Sequence, residues 1–305
     1  MTVRRAQIRT WPRPGSRVDT ADPDRPRPHR VTEADAPIAP GPPFADAYQV
    51  VGPADGPPVV FIHATRKSRS MWRPQQVGLG DRFRVVTVDL PGHGTMAAHA
   101  FRLQRAVGQV ARIIDEAAGG RAVVVGLSLG GYVAMDLAAL HPDRVAGLVI
   151  CGATTEPWAI MRRPELVAAR LVLALERERR AHWSRFLPQP IAVTVADGVT
   201  GGLGIRLDGG TQALLDIMGR RFRPRLARYP GPTMFVNGAR DRLMRRHEGD
   251  FLRSAREGSL LVLPNVGHMT NLEDPERFNR IIRRFASSID LASAPETRES
   301  QSAVR

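Results

Sequence analysis

Ser128 stands between two glycines, in Gly126-Leu127-Ser128-Leu129-Gly130, and the flanks of this pentapeptide restrict the fold more than any other stretch of the chain. Before it runs Arg121-Ala-Val-Val-Val-Gly126, a β-branched run with the character of a buried strand. After it runs Gly131-Tyr-Val-Ala-Met-Asp-Leu-Ala-Ala-Leu140, whose apolar residues recur at helical spacing. The segment therefore predicts a strand, a sharp turn and a helix, with the serine in the turn. Such a turn has no room for bulky neighbours, so the glycines free the space and the hydroxyl is pushed out over the sheet edge.

The same alternation extends along the chain. Strands are expected at 48–51, 58–63, 83–89, 122–127, 145–151, 232–237 and 259–263, and helices at about 101–118, 129–140, 246–256 and 275–288. Strands that alternate with helices imply an α/β fold: a mostly parallel, doubly wound sheet covered on both faces. The beat is interrupted once, between residues 156 and 229. This stretch reads as a helical lid (cap) insertion over the sheet edge, with Trp158 near its start as a substrate-facing residue. The core is then 46–155 together with 230–289. Residues 1–45, rich in Arg and Pro and without periodicity, are expected to be a disordered tail, and 290–305 a flexible one.

Composition narrows the possible partners. The net charge is +14, and of the 44 basic residues only Lys67 is a lysine. That bias is compositional, and the charge forms no compact stripe interleaved with aromatics, so nucleic acid is not an expected partner. About half of the excess lies between 158 and 228, where it is either a solvated surface or a basic lid that favours anionic substrates. No apolar run approaches the ~18 residues of a membrane span, so no membrane partner is expected. Arg4-Arg5 is not followed by an apolar stretch, which leaves the cytoplasm as the default location. The single cysteine, Cys151, ends an apolar strand and reads as a small core residue. The eight histidines are dispersed, so neither metal nor cofactor is expected.

In open α/β sheets ligands gather beyond the carboxyl ends of the strands. Three polar residues stand there in chain order: Ser128, Asp241 in Asn237-Gly-Ala-Arg-Asp241, and His268 in Pro264-Asn-Val-Gly-His268. Around them lie further local motifs. His63 at a strand end is followed nine residues later by Trp72; Asp89-Leu-Pro-Gly-His-Gly94 follows the next strand; His141-Pro-Asp-Arg-Val145 follows the elbow helix; and Gly267-His268 precedes Glu273-Asp-Pro-Glu-Arg-Phe278. With these motifs residues 46–288 resemble the α/β-hydrolase superfamily, in its serine-nucleophile esterase and lactonase branch with a lid.

The resemblance implies a catalytic triad. A serine hydroxyl is a poor nucleophile until a base takes its proton, which His268 would do while Asp241 holds the imidazole in the right tautomer. The oxyanion would be bound by the backbone N–H of Leu129 and, by resemblance, that of Thr65, each worth about 10²–10³ in rate. His63 would brace the oxyanion loop and Asp89 anchor its turn. Where the family usually has glycine after that histidine this chain has Ala64, placed with Trp72 and Trp158 at the substrate. Glu156, at another strand end, is the alternative acid. Arg66-Lys-Ser-Arg-Ser70 either faces solvent or binds an anionic group. The implied activity is hydrolysis of a small carboxylic ester or lactone through an acyl-enzyme, without a cofactor. Carbon–carbon bond hydrolysis, acyl transfer and perhydrolysis use the same triad, and a non-catalytic ligand-binding protein on the same scaffold is the alternative of a different class.

Overall fold

The computed structural model describes residues 45–157 and 209–291. Seven strands form one sheet: β1 (Tyr48–Val51), β2 (Pro58–Ile62), β3 (Arg84–Val88), β4 (Ala122–Leu127), β5 (Val145–Cys151), β6 (Pro232–Gly238) and β7 (Glu257–Leu263). Their spatial order is β1-β3-β2-β4-β5-β6-β7, with β1 antiparallel to β3 and every other pair parallel. From β2 the chain winds outward to β3 on one side and to β4 on the other. The winding reverses between β2 and β4, the kind of switch point beyond whose strand ends open α/β sheets place their ligands.

Both faces of the sheet are covered, as its unbroken apolar strands require. Successive side chains point to opposite faces. Val60, Ile62, Val124, Leu148 and Ile150 thus join one core cluster, and Val59, Phe61, Val123, Val125 and Val149 another. The first is covered by α2 (Leu103–Ala117) and α3 (Leu129–Leu140), the second by α1 (Arg73–Leu79) and a C-terminal helix at Pro275–Ser288. In α2 the buried residues Leu103, Val107, Val110 and Ile114 follow a helical stripe. In α3 the residues from Leu129 to Ala138 are buried on every side, so this helix is held by burial all round. The C-terminal helix starts at Pro275, whose missing N–H costs nothing there, and the Asp274 carboxylate accepts from Arg277 N–H, a cap worth about 1 kcal/mol.

Between β5 and β6 the described residues resume with α4 (Gly209–Ile217) and α5 (Arg223–Leu226); α6 (Glu248–Ser254), α7 (Thr270–Glu273) and the C-terminal helix, α8, complete the described elements. The expected lid falls largely on 158–208, outside the described residues, as do Trp158, residues 1–44 and residues 292–305. Its last part is packed into the core: Ala213, Ile217, Phe222, Leu226 and Tyr229 are buried in the same cluster as α2 and α3. The Arg225 guanidinium forms an ion pair with Asp136 of α3, which is buried within the helix layer. Among the described residues no helix is long and apolar enough to cross a membrane.

Candidate active site

The turn after β4 is as sharp as its glycines imply. Ser128 has φ 55° and ψ −114°, a left-handed backbone rare for a residue with a side chain. A β-carbon on Gly126 would lie 2.2 Å from the Gly130 carbonyl oxygen, and one on Gly130 would lie 2.1 Å from that of Ile62. Nothing larger than glycine fits either position. The Ser128 N–H donates to the Cys151 carbonyl at 2.8 Å, so the turn is tied to the end of β5. Leu129 begins α3, and its N–H has no intrahelical acceptor. Cys151 itself is fully buried, and burial pushes its thiol well above the usual range. It is the core residue expected.

Asp241 and His268 meet across the ends of β6 and β7. His268 Nδ1 and Asp241 Oδ2 are 2.6 Å apart, a short charge-assisted hydrogen bond. The second carboxylate oxygen accepts from the Met244 N–H at 3.2 Å, which fixes the carboxylate plane. The imidazole lies over Gly152, just past β5: a β-carbon there would stand 2.9 Å from both Nδ1 and Cε1 of His268. Ser128 and the His268 ring therefore adjoin the same Cys151–Gly152 peptide. The loop carrying His268 is held by Glu273, whose carboxylate accepts from the N–H groups of Gly267 at 2.7 Å and Met269 at 3.1 Å. Gly238, at the end of β6, closes the arrangement, since a β-carbon there would lie 2.0 Å from the Gly267 carbonyl.

On the other side of Ser128 lie the loops after β2 and β3. His63 is fully buried and joins them: its Nδ1 donates to the Ala64 carbonyl at 2.8 Å and its Nε2 accepts from the Leu90 N–H at 3.0 Å. These two bonds require the neutral ring. Burial, and then the neighbouring His93, lower its pKa to about 4. Asp89 anchors the turn as expected, accepting from the N–H groups of Arg69 at 2.7 Å and Thr95 at 3.1 Å. The Ala64 N–H is taken by the Met71 sulfur at 3.4 Å. The next amide along the loop is that of Thr65, whose hydroxyl donates to the Gly210 carbonyl at 3.3 Å. Ala64 needs no left-handed backbone, and its methyl is buried beside Met71 in the second core cluster, which is why alanine is accommodated there.

Several expectations change. Trp72 is not at the substrate; it is fully buried, packed between Phe61 at 4.9 Å and Phe278 at 6.2 Å between ring centroids. Its spacing from His63 reflects a core contact with α8. Glu156 is not an alternative acid, because its carboxylate accepts from the N–H groups of Phe222 and Arg223 and pairs with the Arg223 guanidinium. It caps α5. The basic run after Thr65 is neither wholly solvated nor wholly free to take an anion: Arg69 pairs with Asp89 and Arg66 donates to the Thr211 hydroxyl, while Lys67 is exposed. Gly152, Asn237 and Glu273 were not singled out as site residues; the one signal for Gly152 was a glycine directly after an apolar strand.

The model of the Alpha/beta hydrolase family matches residues 59–281. The chain is 31% identical over 244 residues to a pimeloyl-[acyl-carrier protein] methyl ester esterase of Neisseria meningitidis, covering 76% of this chain and 94% of the relative. It is 26% identical over 255 residues to 3-oxoadipate enol-lactonase 1 of Acinetobacter baylyi, covering 80% and 93%. A thermophilic esterase from Thermogutta terrifontis superposes with a TM-score of 0.60 at 25% identity, over 79% of this chain and 93% of that one.

Proposed function

The chain belongs to the alpha/beta hydrolase family, and from that premise we propose that it cleaves a small carboxylic ester or lactone through an acyl-enzyme on Ser128. Its relatives are esterases and enol-lactonases. The observation that carries the mechanism is the 2.6 Å bond between His268 and Asp241, formed beside the peptide to which the Ser128 elbow is tied.

In this reading His268 Nε2 takes the Ser128 proton as Oγ attacks the carbonyl carbon. The tetrahedral oxyanion accepts from the N–H groups of Leu129 and Thr65, the Ala64 amide being committed to Met71. The proton on His268 then passes to the leaving alkoxide, and the acyl group stays on Ser128. Water, deprotonated by the same imidazole, attacks the ester carbonyl; the acyl–Oγ bond breaks, the imidazolium returns its proton to Ser128 Oγ, and the acid is released. Asp241 stabilises the imidazolium in both halves.

Exposed Arg240, Arg242 and Arg246 surround Asp241 in sequence and enter no ion pair among the described residues, and Lys67 is exposed on the loop after β2. This charge supports an anionic substrate. Exposed cations facing a crevice raise the local concentration of an anion, an effect that salt screens.

A short p-nitrophenyl ester and a fluorophosphonate test the mechanism together. The protein should hydrolyse the ester and take one phosphonate on Ser128, and Ser128→Ala should lose both while unfolding at an unchanged temperature. Hydrolysis that survives Ser128→Ala would remove Ser128 from the reaction. Run on a half-ester with a free carboxylate and on its neutral analogue, the same assay should show a preference for the anion that fades with added salt.

A further inference from the structure

We infer that Asn237 is a positioning residue for the proton relay, acting on Asp241 and His268 through both loops that hold them. The inference rests on the proposed roles of Ser128, Asp241 and His268. Asn237 lies on β6, four residues before Asp241, and is fully buried. A buried amide needs partners for its oxygen and both amide protons, and strand pairing supplies none of them.

All three are found in the loops around the relay. The Oδ1 atom accepts from the Gly152 N–H at 3.1 Å. That bond fixes the orientation of the glycine against which the His268 ring rests. The Nδ2 atom donates to the Thr154 hydroxyl at 2.9 Å and to Glu248 Oε2 at 3.1 Å. From each of these a short chain of bonds returns to the acid. The Thr154 hydroxyl donates to the Met244 carbonyl at 2.7 Å, and the N–H of the same Met244 donates to Asp241 Oδ1. Glu248 holds Arg245 with two bonds, at 2.8 and 2.6 Å, and Arg245 Nη1 donates to the Ala239 carbonyl at 3.1 Å, two residues before the acid. Burial works against the Glu248 charge, but the bonds from Arg245 and Asn237 more than offset it and hold its carboxyl below the usual range.

The loops after β5 and β6 are thus bridged by Asn237, alongside the Thr154–Met244 bond and the bond from the His247 N–H to the Thr154 carbonyl at 3.1 Å. The bond from Thr155 Oγ1 to the Leu243 carbonyl, at 2.6 Å, continues the closure away from Asn237. Without Asn237 the sheet is still paired at its edge, because the β6 and β7 register runs through backbone groups. What is lost is the fixed separation between the Gly152 peptide and the Asp241 carboxylate. A misplacement of this kind acts on the transition state more than on the bound substrate.

Asn237→Leu keeps the volume and removes all three bonds. Its kcat should fall on the order of 10²-fold while KM stays within about threefold, and the rate at which a fluorophosphonate labels Ser128 should fall in proportion to kcat. Thr154→Val should lose about tenfold in kcat, Thr154→Ser should retain the wild-type value, and the Asn237→Leu/Thr154→Val pair should lose less than the product of the two. A kcat for Asn237→Leu within threefold of wild type overturns the inference. A loss matched by an equal loss of titratable Ser128 sites counts as failure to fold. Should Asn237→Leu fail to fold, the contrast between Thr154→Val and Thr154→Ser decides, and equal kcat values overturn it. Absence of ester hydrolysis in the wild type would overturn the serine mechanism itself, a result visible before any Asn237 variant is made.

Discussion

On the relay side of Ser128, the loops after β5, β6 and β7 are joined by side chains that carry charge or donate to it: Asp241, Glu248, Arg245, Glu273 and the Asn237 amide. On the oxyanion side, the loops after β2 and β3 are joined by a buried imidazole held neutral and by Asp89, whose charge is balanced by Arg69, and are backed by residues 209–216. Under the proposed mechanism the contrast follows from what each side would do. A group that shuttles a proton becomes a cation in the transition state, and fixed anions beside it favour that state. An oxyanion loop presents backbone N–H groups to a forming negative charge, and the carboxylate that anchors it, Asp89, is balanced by the Arg69 guanidinium and by backbone N–H groups. A neutral histidine bridges two loops without adding either sign.

The comparison can be broken from either side. The largest effect is expected from Asp241→Asn, which preserves the shape of the carboxylate and its bond to the Met244 N–H but removes the charge behind His268. Steady-state hydrolysis should show kcat lower by roughly 10⁴-fold with the fold intact. A loss below tenfold would mean that another group fills the role of the acid.

His63 sharpens the other side through pH. Its folded pKa of about 4 lies below the 6.5 of a free imidazole, so between these values the unfolded chain binds the extra proton. The stability it contributes is full above pH 6.5 and is lost as pH falls toward 4, roughly 3 kcal/mol across the window. His141, half-buried and also lowered by burial, adds in the same direction. Denaturant titrations from pH 7 to 4 should show this fall, and His63→Gln, which retains an acceptor for the Leu90 N–H, should flatten it. An equal slope in both proteins would show that His63 is protonated while folded.

The smallest of the three effects concerns the backing of the oxyanion loop. Gly209 meets the 89–94 turn so closely that a β-carbon on it would lie 2.0 Å from the Gly92 carbonyl. Gly209→Val should push α4 away from that turn and from Thr65, lowering kcat about tenfold and at most 10²-fold. Wild-type turnover in this variant would show that the oxyanion side stands without α4.

Much of this was legible in the residues. The β-branched runs of β2, β4 and β5 and the amphipathic stripe of α2 depend on near neighbours, and their positions were read to within two residues. The placement of Ser128, Asp241 and His268 just past β4, β6 and β7 was legible from the strand runs before them. Helix α1 was missed, being seven residues long with Pro74 and Gly78 inside it. Trp72 was misplaced because its burial depends on Phe278, far away in the chain. The capping role of Glu156 and the bridging role of Asn237 are likewise set by partners 66 to 85 residues away, and no local pattern announces them.

Cys151 has a practical consequence beyond catalysis. It is the only cysteine in the chain, is sealed inside the core, and burial makes its thiolate costly to form. Folded protein therefore offers alkylating reagents no native target. Lys67→Cys or Arg242→Cys would create the sole reactive thiol, at an exposed position after β2 or after β6. A fluorophore or spin label placed there would report the local environment and its change when a phosphonate occupies Ser128, with no background from the buried native thiol.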